Sequence, residues 1–287
     1  MARLASSISL ALVFAVAVSW GSTGPAHAAP KLPKGDKFWT VSDYTGSLYG
    51  WNPGTKSFQG QTIDGPEGGT VQDSIIGGGW DHKNSRFVLV DGWGSGTANQ
   101  GLLVYNTKST SWSRYAIDMG EGNSYGFQIR DVAANGKGKL FLLVKNSTDA
   151  DPGFSHYIVP VTQLNSDTNI ATAGWISRVQ IRNEFVSYAS LSFDPRSNGR
   201  IYLQSLDYAI DLIAGSSGAL LSTSEVEPSY DQLVHFDIDS NRRYWAYGGN
   251  GAELVYGALD NGRSNANLGV TDFSSTLNCL IIQRKAR

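Results

Sequence analysis

One short phrase recurs along this chain roughly every 50 residues, the spacing of blade-sized repeats. An apolar stretch ends in Asp, Asn or Gly, a basic residue follows, and a strand-like run begins. It reads Gly79-Trp80-Asp81-His82-Lys83-Asn84-Ser85-Arg86 before Phe87-Val88-Leu89-Val90. It returns as Val132-Ala133-Ala134-Asn135-Gly136-Lys137-Gly138-Lys139 before Leu140 to Val144, and as Ser192-Phe193-Asp194-Pro195-Arg196-Ser197-Asn198-Gly199-Arg200 before Ile201-Tyr202-Leu203. A last copy, Phe236-Asp237-Ile238-Asp239-Ser240-Asn241-Arg242-Arg243, precedes Tyr244-Trp245-Ala246-Tyr247. Two strands joined by a polar turn, repeated at this period, predict an all-β fold, a β-propeller. The architecture does not name the activity, because propellers carry unrelated chemistries.

A second phrase marks the outer half of a repeat. Asn52-Pro53-Gly54-Thr55-Lys56 is a tight turn between Ser47–Trp51 and Ser57–Gln59, and Asn106-Thr107-Lys108-Ser109-Thr110 plays the same part later. Further repeats run over Ile129–Ile181, Tyr188–Val226 and Leu233–Leu268. Only Tyr208–Ala214 could pass for a helix. The segment Leu277–Gln283 has no repeat of its own, and the first repeat, beginning at Phe38, lacks an innermost strand. The C-terminal strand is therefore expected to join the N-terminal blade and close the ring, leaving no long unpaired edge. Five blades fit best, six if a long connection conceals one.

The first residues read as a signal peptide over 1–29: Arg3, an apolar core from Ile8 to Val18, then Ala26-His27-Ala28 for cleavage. That apolar run is short for a bilayer span. Residues 30–287 are then one propeller domain, expected to be secreted, monomeric and without a membrane anchor after cleavage. Charged residues make up 17%, aromatic residues 11%, and glycines number 33, a composition that suits a turn-rich β protein. A net charge of −2 and no basic cluster interleaved with aromatics exclude nucleic acid as a partner. Cys279, the single cysteine, lies among Leu277, Leu280, Ile281 and Ile282, which predicts a buried strand thiol and a fold held without disulfides. Asn146-Ser147-Thr148 is an N-glycosylation acceptor on an expected loop.

Gly101-Leu102-Leu103-Val104-Tyr105-Asn106-Thr107-Lys108-Ser109-Thr110-Ser111-Trp112-Ser113-Arg114 resembles a blade phrase of the yellow/major royal jelly proteins, which are secreted propellers. Phe38 to Pro53 is similar to blades of the gluconolactonase and streptogramin-lyase type. The likeness implies the fold and carries over no functional residue, since the cysteine pairs of royal jelly proteins are missing.

In a propeller, the loops that lead into the innermost strands share one face with the loops after the second strands, and most propeller sites are built there. The second-strand loops present Asp43-Tyr44, Asp91-Gly92-Trp93, Lys145-Asn146, Asp207-Tyr208 and Gly249-Asn250. The lead-ins present Gln72-Asp73, Gln128 with Arg130-Asp131, Glu184 with Tyr188, Tyr230-Asp231-Gln232 and Asp272. Aromatic faces stack on sugars and rings, and carboxylates and amides bond hydroxyls. The candidate ligand-binding residues are Asp73, Trp93, Arg130, Tyr188, Tyr208, Tyr230 and Asp231. A carboxylate cluster of Asp73, Glu184 and Asp231 with Asn250 could hold Ca²⁺, which wants six to eight oxygens. His235 alternates with Val234 and Phe236 on an innermost strand and so faces the channel; with Glu184 and Asp231 it is the acid/base candidate. Any single Asp at a strand end more often caps a turn. Gly77-Gly78-Gly79 is followed by no phosphate-loop helix and is read as close strand packing near the axis.

Three functions fit. A binding propeller would take a small molecule or glycan at one central-channel face. An enzyme (lactonase, lyase, cyclase or glycoside hydrolase) would use a carboxylate or metal axial site. A scaffold would bind protein through the insertions Asp91–Gly101 and Lys145–His156. The absence of any nucleophile-elbow motif ranks binding first.

Overall fold

The computed structural model describes residues 33–55, 57–66, 74–92, 100–120, 127–146, 155–182, 186–196, 199–205, 209–225, 233–248, 254–259, 266–267 and 277–285. Residues 1–29 lie outside them. Among the described residues, no helix is long and apolar enough to cross a membrane.

The strands form successive antiparallel meanders. The first holds β1 (Lys37–Ser42), β2 (Leu48–Gly50) and β3 (Thr62–Ile63); the second β4 (Ile75–Asp81), β5 (Arg86–Asp91), β6 (Gly101–Asn106) and β7 (Ser111–Asp118). The third holds β8 (Phe127–Ala134), β9 (Leu140–Asn146), β10 (His156–Asn165) and β11 (Ile170–Ala173), with β12 (Val179–Gln180) beside β10. The fourth holds β13 (Tyr188–Phe193), β14 (Arg200–Ser205), β15 (Ala209–Ala214) and β16 (Leu220–Glu225). The fifth holds β17 (Leu233–Ile238), β18 (Arg243–Gly248), β19 (Leu254–Ala258) and β20 (Ala266–Asn267). The last strand, β21 (Leu277–Gln283), pairs with β1, from Lys37↔Gln283 to Val41↔Cys279, and supplies the innermost strand that the first meander lacks. The segment that could pass for a helix is a strand where it is described, β15.

Apolar clusters lie between consecutive sheets all the way round. Trp39, Leu48 and Ile281 of the first sheet pack on Phe87 and Leu103 of the second. Val88 and Val104 meet Leu142 and Val159; Leu143 and Ile158 meet Leu191 and Ile201; Tyr202 and Ile210 meet Phe236 and Tyr244. The round is completed by Trp245 and Leu254 against Phe38, Leu280 and Ile282. Along β21, Cys279 and Ile281 face one cluster while Leu280 and Ile282 face another. That alternation is the period of two expected of a strand buried on both faces. The molecule is a closed β-propeller. One departure joins the second and third blades at their rims: β11 pairs in parallel with β7, Ile170 opposite Ala116.

The recurring phrase is a turn clamp. Asp81 accepts Asn84 N at 3.2 Å and Arg86 Nε at 2.8 Å. Asn135 accepts Lys137 N and Lys139 N, both at 3.0 Å. Asp194 accepts Arg196 N at 2.8 Å. Asp239 accepts Asn241 N, Arg243 N and Arg243 Nε between 2.8 and 2.9 Å, and Trp245 Nε1 at 3.0 Å. The acid or amide therefore takes over backbone donors that the tight turn leaves unpaired, and in two of the turns the phrase's own arginine pairs with the acid, Arg86 with Asp81 and Arg243 with Asp239. The outer phrase works likewise, with Asn106 accepting Lys108 N at 2.9 Å and Asn165 accepting Asp167 N at 2.9 Å.

Candidate functional site

The innermost strands β4, β8, β13, β17 and β21 begin at one face, here the leading face, and end at the opposite, trailing face. Each pairing slips register near the leading face: between Ile75 and Gly77, Ile129 and Asp131, Tyr188 and Ser190, Leu233 and Phe236, and between Val41 and Ser42 opposite β21. Bulges re-aim side chains and are frequent beside sites. The bulge in β8 falls at Arg130. Buried Gln100 locks it, donating from Nε2 to Gly92 O and Ile129 O at 3.0 Å and accepting Ile129 N at 2.8 Å.

Arg130 is half-buried, and its Nε has no hydrogen-bond partner among the described residues. Burial pulls its guanidinium below the ordinary arginine value. Lys145, on β9, is pulled down first by burial and then by the Arg130 charge, so two cations share this sector of the leading face. Tyr44, in the loop after β1, is 63% exposed. That loop is tied to the start of β4 by Ile75 N donating to Asp43 O at 3.0 Å.

Below this level the axis is filled. Gly77, Gly78 and Gly79 approach so closely that a Cβ at Gly77 would lie 2.4 Å from Asp131 Oδ1 and one at Gly79 2.9 Å from Val132 O, the close packing expected of these glycines. Asp131 accepts Val132 N, Leu191 N and Ser190 Oγ, each at 2.8 Å, and faces His235 Nε2 at 3.3 Å. His235 Nε2 is also 3.6 Å from Cys279 Sγ, which lies 3.7 Å from Gly78 O. Leu280 N points at His235 Nδ1 at 3.3 Å. A step further along, Asp237 accepts Ser192 Oγ, Ile238 N and Ile282 N between 2.6 and 2.8 Å. Asp131, Ser190, His235 and Cys279 are each no more than 1% exposed. Burial favours the neutral imidazole, but the Cys279 sulfur and the Asp131 carboxylate prevail and hold His235 well above its ordinary pKa. Burial pushes the Cys279 thiol up, against the pull of the neighbouring His235. An acid, an imidazole and a thiol thus converge without solvent access, an arrangement that cross-links the innermost strands.

Of the residues expected to form a site, the structure brings Arg130 to the leading face and His235 to the axis. Tyr188 departs from expectation. It is 1% exposed, its hydroxyl donates to Asp211, and its ring packs in the core between the third and fourth blades, because the bulge at the start of β13 turns it away from the channel. Asp73, Trp93, Glu184, Tyr208, Tyr230, Asp231 and Asn250 lie outside the described residues. Among the described residues, no group of three or more His, Cys, Asp or Glu could hold a metal ion. Asn146 ends β9 rather than lying in a free loop. Sequence reasoning missed Gln100 as the lock beneath Arg130; its only signal is one amide before a run of apolar residues.

No protein family and no curated protein matches the chain by sequence. Solved structures that resemble it in shape include the following two. Apo AztD from Citrobacter koseri is 12% identical with a TM-score of 0.40, and the match covers 85% of this chain and 62% of that one. A chain of the nidogen/laminin complex is 8% identical with a TM-score of 0.49, covering 86% of this chain and 98% of that one. This chain therefore spans less than two thirds of the AztD chain.

Proposed function

We propose that this protein, exported by its first 29 residues, is a binding propeller that takes a small molecule or a glycan at the leading mouth of its channel. The observation that carries the reading is Arg130: a guanidinium set on a bulge, locked from below by Gln100, with a desolvated Nε that has no partner among the described residues. A desolvated donor beside Lys145 suits a hydroxyl or an acidic group, and the exposed ring of Tyr44 offers a stacking face. Binding is favoured over catalysis because the one described acid–imidazole–thiol group is sealed within the axis.

The test is an array of glycans and small metabolites applied to the mature chain, with any hit titrated against Arg130→Ala. The reading expects one ligand class whose affinity falls about tenfold or more in the variant. A ligand bound equally well by Arg130→Ala would place the site elsewhere.

A further inference from the structure

The trailing end of the channel carries a second feature that the leading-face reading does not use. A cavity of about 340 Å³ opens there among Trp80, His82, Lys83, Phe193, Arg284 and Lys285, within the roughly 300–1,000 Å³ of small-molecule sites. A neighbouring hollow of about 230 Å³ shares Trp80, His82, Arg284 and Lys285 and adds Lys37. The lining carries three cations, Lys83, Arg284 and Lys285, against one acid, Asp194, and the neighbouring Asp36 is taken up by Ser240 and Lys285 N. Asp194, the acid of the cavity wall, already accepts Arg196 N at 2.8 Å and faces Arg242 Nε at 3.2 Å. Arg284 donates to Phe193 O at 3.2 Å and has Asp237 at 3.9 Å, while that carboxylate is bonded to Ser192, Ile238 and Ile282.

A second observation is independent of charge. Trp80 is 6% exposed and lines both hollows, yet its indole N–H has no hydrogen-bond partner among the described residues. A buried donor without a partner costs free energy and calls for an explanation. An acceptor brought by a ligand supplies one.

We infer that the trailing mouth binds a small acid anion, a carboxylate or phosphate group held by Arg284, Lys83 and Lys285, with Trp80 and Phe193 as walls for its body. Guanidinium forks match such groups bidentately, and the lysines add point charge. This site is separate from the leading-face site and does not depend on it.

The experiment is calorimetric titration of the mature chain with inorganic phosphate, with a hexuronate and with the matching neutral hexose. Saturable binding of phosphate or hexuronate is expected, the hexose giving no signal; which anion binds separates a phosphate ligand from a carboxylate one. Lys83→Gln and Arg284→Gln should each weaken it about tenfold, and Arg130→Ala should leave it unchanged. Trp80→Phe keeps an aromatic wall and should also weaken binding. Should Arg284→Gln unfold, Lys83→Gln, at an exposed position, carries the test. Absence of saturable binding by either anion overturns the inference. So does wild-type affinity in both Lys83→Gln and Trp80→Phe, or loss of affinity in Arg130→Ala.

Discussion

Asp131 is the residue on which the axis turns. It accepts three donors from two blades and faces His235, all of them buried. Asp131→Ala strips those donors of their acceptor, and denaturant unfolding should report a loss of about 3–5 kcal/mol. The pH response follows from its neighbours. His235 and Cys279 both have folded-state values above their ordinary ones. Each therefore contributes stability that is complete below its unfolded pKa and is lost as pH rises through the folded value. Stability should fall from about pH 6.5 upward through His235, with the thiol contributing above its ordinary value. In Cys279→Ala the alkaline part of that slope should flatten, as measured by denaturant unfolding across pH. His235 was legible as channel-facing from its alternation with Val234 and Phe236, and Cys279 as buried from its apolar neighbours. Their convergence with Asp131 was not legible, because these residues lie on three separate blades and meet only when the ring closes.

At the scale of the element, β21 decides whether the ring exists. It pairs with β1 over six residue pairs and turns Leu280 and Ile282 toward one core, Cys279 and Ile281 toward the other. Ending the chain after Thr276 should expose the β1 edge and abolish cooperative unfolding in a thermal melt. Ile281→Ala, at 0% exposure, should cost about 2–5 kcal/mol and keep cooperativity. The place of β21 could be read from the sequence because one strand was left over and one was missing. The nature of β15 could not. Ile210 packs in one inter-blade core and Ile213 in another, so the segment is apolar on both faces and carries no period that separates strand from helix. Tyr188 was misplaced for a related reason: the slip between Tyr188 and Ser190 reverses which side chain faces the channel, and a bulge has no sequence mark here.

As a whole molecule, the propeller gains its closure from clusters between neighbouring blades and from the carboxylates Asp131 and Asp237 that tie the innermost strands together. Sealing the axis this way leaves two separate mouths, each with its own cations. The period of the turn phrase made this architecture readable, because the turn chemistry of Asp81, Asn135, Asp194 and Asp239 is local. The mouths were readable only in part, since their character depends on which bulged or terminal side chains meet across blades. The measurement that decides the account is the affinity of one identified leading-face ligand for the wild-type chain, Arg130→Ala and Cys279→Ala side by side. The account predicts a loss of about tenfold or more in Arg130→Ala and wild-type affinity in Cys279→Ala. The opposite pattern, affinity kept in Arg130→Ala and lost in Cys279→Ala, would put function at the axial thiol and contradict it.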